Sequence, residues 1–241
     1  MQDNDRGLFA SGSTWFESLN PASPSVHVGR WRVSGDDDVD AAVSAAAELA
    51  PVWSATPPAA RSGVLRRTAT LLRESAEEIT ATMVSEVGKP VAEAAAEVAN
   101  AAGVLDFFSD RAMLTAGGSL PGAATDDLLY TVRAPIGVVA VITPWNFPLN
   151  SPAIKIGAAL AFGNTVVFKP AEQATASSLL LIAALRDAGL PDGVVSVLLG
   201  PGDIVGERLI QDSRLDGISF TGSTDVGRRI RRAAADGHAR V

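Results

Sequence analysis

The fold of this 241-residue chain is decided by residues 138–172, which read VVAVITPWNFPLNSPAIKIGAALAFGNTVVFKPAE. Residues 138–142 form an apolar, mostly β-branched run, which is typical of a parallel strand buried on both faces. A helical pattern follows near residues 153–161, and residues 165–168 form a second short apolar run. A strand, a helix and a second strand in this order predict a βαβ unit with a right-handed crossover.

The same alternation of short apolar runs and helical segments continues to the end of the chain. The further elements that it predicts are a helix at residues 177–188, a strand at 194–198, a helix at 204–211, a strand at 217–220 and a helix at 225–235. We therefore predict an α/β fold in which residues 136–241 form a Rossmann-like parallel sheet with helices on both faces.

The first half of the chain has a different pattern. Residues 1–35 contain Pro, Gly and Ser throughout and predict irregular structure with two or three short strands. Residues 36–118 have helical periodicity and begin with three consecutive aspartates, which favour a helix start. The amphipathic helices that this spacing predicts lie at 39–53, 64–79 and 91–108. Residues 128–135, in contrast, alternate like an exposed strand.

The composition excludes several classes of function. Twenty Lys and Arg residues against 27 Asp and Glu residues give a net charge of −7, which argues against nucleic acid as the main partner. The absence of Cys excludes disulfides and a thiol nucleophile, and two His residues are too few for a multi-histidine metal site. The amino terminus does not have the pattern of a secretory signal, and Lys155 and Gly163 interrupt the most apolar stretch. We therefore expect a cytoplasmic protein without a metal, a membrane span or a nucleic-acid partner.

In open parallel sheets, ligands bind where the strands end at their carboxyl edge. The first of four segments at this edge is residues 143–148, TPWNFP, where two prolines stiffen the backbone around Asn146. The amide of Asn146 could donate a hydrogen bond to a developing oxyanion. The alternative is a rigid turn in which Asn146 caps the helix that follows.

The second and third segments follow the next two strands. Lys169 and Glu172 offer a cation and an acceptor that suit a ribose or a phosphate, and the alternative is a surface ion pair at a helix start. Residues 200–206, GPGDIVG, join a strand to a helix as a dinucleotide fingerprint does. Their spacing departs from that fingerprint by one residue, so a tight Gly-rich turn is the alternative.

The fourth segment is residues 220–227, FTGSTDVG. Gly222 would let the backbone approach a ligand, Ser223 offers a hydroxyl group, and the start of the next helix would attract a phosphate. Asp225 in the first turn is expected to be an ordinary cap residue, and it would repel a phosphate if it pointed inwards.

Taken together and in this order, the segments resemble successive motifs of the NAD(P)-dependent aldehyde dehydrogenases. The matching stretches are PWNFP at 144–148, GNTVVFKPAE at 163–172, GLPDGV at 189–194 and FTGS at 220–223, with GKP at 88–90 in the helical part. The resemblance runs from about Asn20 to the end of the chain. It implies oxidation of an aldehyde to a carboxylic acid, with NAD or NADP as the cofactor.

The resemblance also implies a role for each matching residue. Asn146 would supply the amide of the oxyanion hole. The residues implied to contact the cofactor are Ile142, Thr143, Pro144, Trp145, Lys169, Glu172, Gly202, Gly206, Phe220, Thr221, Gly222, Ser223 and Gly227. Lys169 and Glu172 would contact the adenosine ribose, and Ser223 would meet the pyrophosphate. Glu172 favours NAD because its carboxylate would repel the 2′-phosphate of NADP, although Lys169 could accept that phosphate.

The chain departs from the family pattern at its carboxyl end. Family members continue into a Glu-Leu-Gly-Gly segment whose Glu is the general base, and they then supply the catalytic Cys and a second Glu that contacts the nicotinamide ribose. None of these is in this sequence. Because covalent capture of an aldehyde needs a nucleophile, we predict that the catalytic domain is absent and that the isolated chain is inactive.

The resemblance further implies an oligomer. Residues 128–135 would belong to a projecting oligomerisation arm that pairs with carboxyl-terminal strands, as expected of a homo-oligomer. Without those strands, this half should expose an apolar patch and an unpaired strand edge. We therefore expect the isolated chain to be poorly soluble or to associate.

Two interpretations of the chain stay open. One is an aldehyde dehydrogenase whose remainder is missing, which would act on a small aldehyde only when completed. The other is a non-catalytic dinucleotide-binding or scaffold module that pairs with a full-length homologue. A hydrolase is disfavoured because the sequence has no Gly-x-Ser-x-Gly elbow. The helical part and residues 143–145 are most similar to enzymes of sugar-acid breakdown that act on semialdehydes such as 2-oxoglutarate semialdehyde (2,5-dioxovalerate).

Overall fold

The computed structural model describes residues 8–114, 117–124, 126–235 and 237–241. The strands are β1 Leu8–Phe9, β2 Trp15–Asn20, β3 Ser23–Arg32, β4 Ser119–Pro121, β5 Leu128–Tyr130, β6 Val138–Ile142, β7 Thr165–Lys169, β8 Val195–Leu198 and β9 Gly217–Phe220. The α-helices are α1 Asp36–Ala55, α2 Pro58–Glu74, α3 Ala76–Val87, α4 Val91–Ala112, α5 Asn150–Ala161, α6 Thr175–Asp187, α7 Glu207–Ile210 and α8 Thr224–Ala235. None of these helices is both long enough and apolar enough to cross a membrane.

Five strands form one parallel sheet in the order β1-β8-β7-β6-β9. The register places Ile142, the last residue of β6, beside Lys169 at the end of β7 and Phe220 at the end of β9. These three strands therefore end at the same level. The pairs β2–β3 and β4–β5 are antiparallel and lie outside this sheet. The predicted α/β fold with a parallel sheet is confirmed.

Helices cover both faces of the sheet because successive strand side chains point to opposite sides. Val139 and Val141 of β6 belong to a hydrophobic cluster that includes residues of α5 and α6. Val138 and Ala140 belong to a second cluster, with residues of α1, α7 and α8. Helices α2, α3 and α4 pack outside α5 and α6 and share the first cluster. Helices α2, α3 and α4 thus form an additional layer on this side of the sheet, which we call the helical layer, while α1 lies on the opposite face.

The single helix predicted at residues 64–79 is wrong. Helix α2 ends at Glu74 and α3 begins at Ala76, with Ser75 between them at φ −100° and ψ 17°. A break of one residue leaves the apolar side chains close to helical spacing on both sides of it. Periodicity therefore could not reveal this break.

Two other elements differ from the prediction. The helix expected at residues 204–211 is a π turn at Gly202–Gly206 followed by α7, which has only four residues. Two glycines in the turn lower its helix propensity. Of the strand predicted at residues 128–135, only Leu128–Tyr130 pairs with β4, and the side chains of these three residues are exposed as expected.

Two buried glutamates of the helical layer contact the starts of sheet helices. Glu86 of α3 accepts hydrogen bonds from two N–H groups in the first turn of α6, at 2.8 and 2.7 Å, and from the Ser177 hydroxyl at 2.6 Å. Glu97 of α4 accepts hydrogen bonds from the N–H groups of Leu149 and Asn150, at 2.9 and 3.0 Å. The first N–H groups of a helix have no intrahelical partner and carry positive potential. The two carboxylates therefore cap α6 and α5.

Asp38 fastens the amino-terminal segment to α1. Its carboxylate accepts hydrogen bonds from the N–H of Ser11 at 2.9 Å, from the hydroxyl of Ser11 at 2.8 Å and from the N–H of Gly35 at 2.8 Å. Burial acts to raise the pKa of Asp38, but the hydrogen bonds from Gly35 and Ser11 outweigh it and hold the pKa below its ordinary value.

Replacing Asp38 by Asn is expected to lower the free energy of unfolding by about 1–2 kcal/mol near pH 7, because an amide cannot accept all three hydrogen bonds. Since the folded-state pKa is depressed, the stabilisation is present above the ordinary value of 3.8 and is lost as the pH falls through the folded-state pKa. Urea unfolding should therefore show a difference from wild type that shrinks in acid. Asp37→Asn, at an exposed position, is the control. A difference independent of pH would contradict this account.

Candidate functional site

The carboxyl ends of the strands bring all four predicted segments to one edge of the sheet. The N–H of Thr143 donates to the carbonyl oxygen of Lys169 at 3.4 Å, and the N–H of Thr221 donates to that of Ile142 at 3.1 Å. The segment after β8 lies next along this edge, because a Cβ placed on Gly202 would lie 3.8 Å from Nζ of Lys169. We call this row of loops the carboxyl rim.

Lys169 is the buried cation of the carboxyl rim. Its side chain is 3% exposed, and its Nζ lies 3.4 Å from Oε2 of Glu172, whose side chain is 32% exposed. Burial lowers the pKa of Lys169, and the negative charges of Glu172 and Asp203 partly oppose that change. The alternative of a surface ion pair is therefore wrong for Lys169. The pair offers a donor beside an acceptor, which suits a pair of neighbouring hydroxyl groups.

Thr143 and Trp145 lie where β6 leaves the sheet. Thr143 is 4% exposed, and its hydroxyl oxygen has no hydrogen-bond partner in the described part of the chain. Buried polar atoms are almost always hydrogen-bonded, so this hydroxyl is an unsatisfied polar group at the carboxyl rim. Trp145, two residues further along the chain, is half exposed and presents an aromatic surface.

Asn146 does not cap the helix that follows, so that alternative is wrong. Glu97 already bonds the N–H groups of Leu149 and Asn150 at the start of α5. The side chain of Asn146 is exposed and makes no hydrogen bond to any residue that the structure describes. The backbone carbonyl oxygen of Asn146 accepts a hydrogen bond from Nζ of Lys89 at 2.8 Å. The amide is thus held on a fixed backbone and is free to donate.

The start of α8 is capped by Ser223 and not, as predicted, by Asp225. The hydroxyl oxygen of Ser223 accepts a hydrogen bond from the N–H of Val226 at 3.3 Å. The carboxylate of Asp225 is bonded instead to Arg228, at 3.2 Å. Ser223 takes the cap because it stands three residues before Val226, the spacing at which a cap side chain reaches the backbone.

The glycines of this segment have a packing reason of their own. A Cβ on Gly222 would lie 2.4 Å from the ring of Phe220, and one on Gly227 would lie 3.4 Å from it. The Phe220 ring therefore folds against the backbone at both glycines. Close approach of a cofactor is compatible with these glycines but is not needed to explain them.

The turn after β8 is governed by packing as well. Gly200 has φ +132°, and a Cβ there would lie 2.8 Å from Val33 and 3.0 Å from Val205. This agrees with a tight turn and not with a dinucleotide fingerprint, because the π turn delays α7. A Cβ on Gly206 would meet nothing within 4 Å, so its packing does not require a glycine.

Sequence reasoning missed Lys155 as a possible functional residue. Its Nζ donates to the hydroxyl oxygen of Ser219 in β9 at 3.2 Å, and burial lowers the pKa of this ammonium group. Such a group can hold a proton or release it more readily than an exposed lysine. The signal was present as the one charged residue within the apolar α5, although it was used only to exclude a membrane span.

A cavity of about 1000 Å³ lies at the opposite, amino-terminal edge of the sheet, where Ile136, Phe162 and Asp216 are among its lining residues. Parallel α/β sheets bind ligands at the carboxyl ends of their strands, so the direction of the strands favours the carboxyl rim over this cavity as the ligand site.

Comparison with known proteins agrees with the motifs at the carboxyl rim. The sequence profile of the aldehyde dehydrogenase family matches residues 9–241. An alpha-ketoglutarate semialdehyde dehydrogenase of Haloferax volcanii is 43% identical over 226 residues, which are 93% of this chain and 47% of that protein. The chain spans about half the length of the curated relatives that it matches.

Solved structures have the same fold as the chain. PnpE in complex with nicotinamide adenine dinucleotide superposes with a TM-score of 0.91 at 35% identity, over 96% of this chain and 47% of that one. The NADP-dependent glyceraldehyde-3-phosphate dehydrogenase of Bacillus halodurans, complexed with NADP, gives a TM-score of 0.87 at 34% identity, over 92% and 47%. This chain therefore belongs to the aldehyde dehydrogenase family.

Proposed function

We propose that the carboxyl rim is the binding site of a nicotinamide dinucleotide in an enzyme that oxidises an aldehyde to a carboxylic acid. The observation that carries this proposal is the common level at which β6, β7 and β9 end, which aligns Ile142, Lys169 and Phe220. Residues far apart in the sequence, with donors, acceptors and an aromatic surface, thereby form one continuous row. When bound, the cofactor supplies an acceptor for hydride.

The residues of the carboxyl rim fit such a cofactor. The Lys169–Glu172 pair would hold a ribose, since its ammonium can donate to one hydroxyl group and its carboxylate can accept from another. The unpartnered hydroxyl of Thr143 and the half-exposed ring of Trp145 would lie on the nicotinamide side. Ser223 and the N–H groups at the start of α8 would face the pyrophosphate, with Gly202 and Gly206 near the adenine.

NAD is favoured over NADP by the charge of Glu172. Its carboxylate would repel a 2′-phosphate, while Lys169 is already paired with it and buried. Solved relatives carry either cofactor, so the choice rests on this local charge balance.

Asn146 would stabilise the negative oxygen that forms when a nucleophile attacks an aldehyde. Its amide has no competing hydrogen bond among the described residues, and its backbone is held by Lys89 and by the flanking prolines. The chain has no Cys, so the thiol nucleophile of this reaction would come from outside these residues. The Haloferax relative suggests a dicarboxylic semialdehyde, such as alpha-ketoglutarate semialdehyde, as the substrate class.

Residues 128–135 would serve as an oligomerisation arm of the assembled enzyme. Leu128, Leu129 and Tyr130 are 78%, 47% and 66% exposed, and the pair β4–β5 has free edges in the described structure. Exposed apolar strands of this kind associate with other strands.

The absence of Cys also supports a second candidate function, a cofactor-binding module that pairs with a catalytically complete homologue.

Calorimetric titration of the purified chain with NAD is expected to show binding that Glu172→Gln weakens by about tenfold, the effect of losing roughly 1.4 kcal/mol of hydrogen bonding to a ribose. The same variant should narrow the difference between NAD and NADP, because it removes the charge that repels the 2′-phosphate. Glu48→Gln, at an exposed position in α1, is the matched control. No binding at millimolar cofactor would contradict the proposed binding site. Tighter binding of NADP than of NAD by the wild type would contradict the proposed preference for NAD.

The purified chain is expected to form no NADH from alpha-ketoglutarate semialdehyde and NAD, because it has no thiol to capture the aldehyde. NADH fluorescence measures this directly, with a cysteine-containing aldehyde dehydrogenase as the positive control. Turnover by a homogeneous preparation of the chain would show that the reaction uses another nucleophile.

A further inference from the structure

Lys89 lies in the short connection between α3 and α4, and its side chain is only 9% exposed. Its ammonium group forms an ion pair with Glu97 and donates to the carbonyl oxygen of Asn146 at 2.8 Å. It also lies 4.0 Å from the ring centroid of Phe147, over the aromatic face. All three contacts are directed at one short loop or at the residue that holds it.

Glu97 connects Lys89 to the other end of that loop. While one carboxylate oxygen contacts Nζ of Lys89, the other accepts the N–H groups of Leu149 and Asn150. The Glu97 side chain is 1% exposed. A single buried ion pair therefore holds the backbone both before and after residues 147–148. Hydrogen bonds that involve a charged group are shorter and stronger than neutral ones, so this arrangement restricts the loop.

The orientation of the Asn146 side chain depends on this backbone. Its amide makes no hydrogen bond to a described residue, so neighbouring side chains do not fix its direction. Pro144 and Pro148 restrict the backbone at residues 143–144 and 147–148 but not at Asn146 itself, and the hydroxyl of Ser178 donates to the carbonyl oxygen of Pro148 at 2.9 Å. The ammonium group of Lys89, in contrast, donates a hydrogen bond to the backbone carbonyl oxygen of Asn146 itself.

We propose that Lys89, held in place by Glu97, is a positioning residue that fixes the direction of the Asn146 amide. The proposal rests on the proposed role of Asn146 as the oxyanion donor. A catalytic donor must be held within about 0.5 Å and about 10–20° of its productive geometry, and the residues that pack and hydrogen-bond behind it supply that precision. Lys89 touches neither a cofactor nor a substrate in this scheme and acts only through the loop.

The experiment uses the chain itself, labelled with ¹⁵N at asparagine, because it contains only six Asn residues. The signals of Asn146 are assigned with Asn146→Ser. Asn164 is the internal reference, since its side chain accepts the N–H groups of Ile136 and Gly137 far from Lys89. In wild type, the backbone order parameter of Asn146 is expected to be about 0.85, as in a rigid segment.

In Lys89→Met, which keeps the length of the side chain but not its charge or donors, the order parameter of Asn146 is expected to fall below about 0.6 while that of Asn164 is unchanged. Lys89→Arg should restore order at Asn146, because it returns a cation with several donors. Glu93→Gln, at an exposed position in α4, is the control and should change neither signal. A role limited to global stability would lower the melting temperature without loosening Asn146 in the folded state.

An unchanged order parameter at Asn146 in folded Lys89→Met would overturn the proposal. If that variant does not fold, Glu97→Gln replaces it with the same expectation, since it removes the charge that holds the ammonium group but keeps an oxygen that can cap α5. Calorimetry with NAD on the same samples separates the two ideas. Absence of binding by wild type rejects the proposed function, whereas binding together with an unaltered Asn146 rejects only the positioning role.

Discussion

The packing of the helical layer against the sheet depends on two buried carboxylates. Glu86 and Glu97 are almost fully buried, which would be very unfavourable for unpaired charges. Each is compensated by N–H groups at the start of a helix, where the backbone has donors without partners and a positive potential. Without the carboxylates, the N–H groups at the helix starts would have no hydrogen-bond partner, and without these N–H groups the buried carboxylates would be uncompensated. The helical layer and the sheet layer are therefore fastened at two points, and neither can shift without exposing charge or losing hydrogen bonds.

Both fastened points lie at the carboxyl rim. Glu97 holds the loop between β6 and α5, which contains Asn146, and Glu86 holds the start of α6, just after the Lys169–Glu172 pair. The common level of the strand ends brings the loops close together but does not by itself make them rigid. The glutamates add rigidity, because their carboxylates bind N–H groups of the backbone at the start of α5 and of α6. A protein layer that meets no ligand can in this way determine the precision of the residues that do.

Local sequence patterns predicted the parallel sheet well, since buried strands such as Val138–Ile142 appear as apolar runs and strand direction follows from the βαβ order. The patterns did not predict contacts between residues that are far apart in the sequence. Glu97 and Leu149 are 52 positions apart, and nothing near either residue indicates that they meet. Asp225 was expected to cap α8, but Ser223 does so, because the residue that caps a helix depends on where the first turn begins, and the sequence pattern places that start only to within a residue or two. The resemblance to known motifs named the residues of the rim but could not show that Lys169 is buried or that the Asn146 amide makes no hydrogen bond to a residue that the structure describes.

Native-state hydrogen exchange on wild type and Glu86→Gln tests most directly whether buried carboxylates fasten the rim to the helical layer. In wild type, the amides of Ala176 and Ser177 should exchange only through the opening that also exposes Leu105 in α4. In the variant, the two amides should exchange at least about tenfold faster, which corresponds to roughly 1.4 kcal/mol, while Leu105 is unchanged. Equal exchange of Ala176 and Ser177 in both proteins would contradict the account.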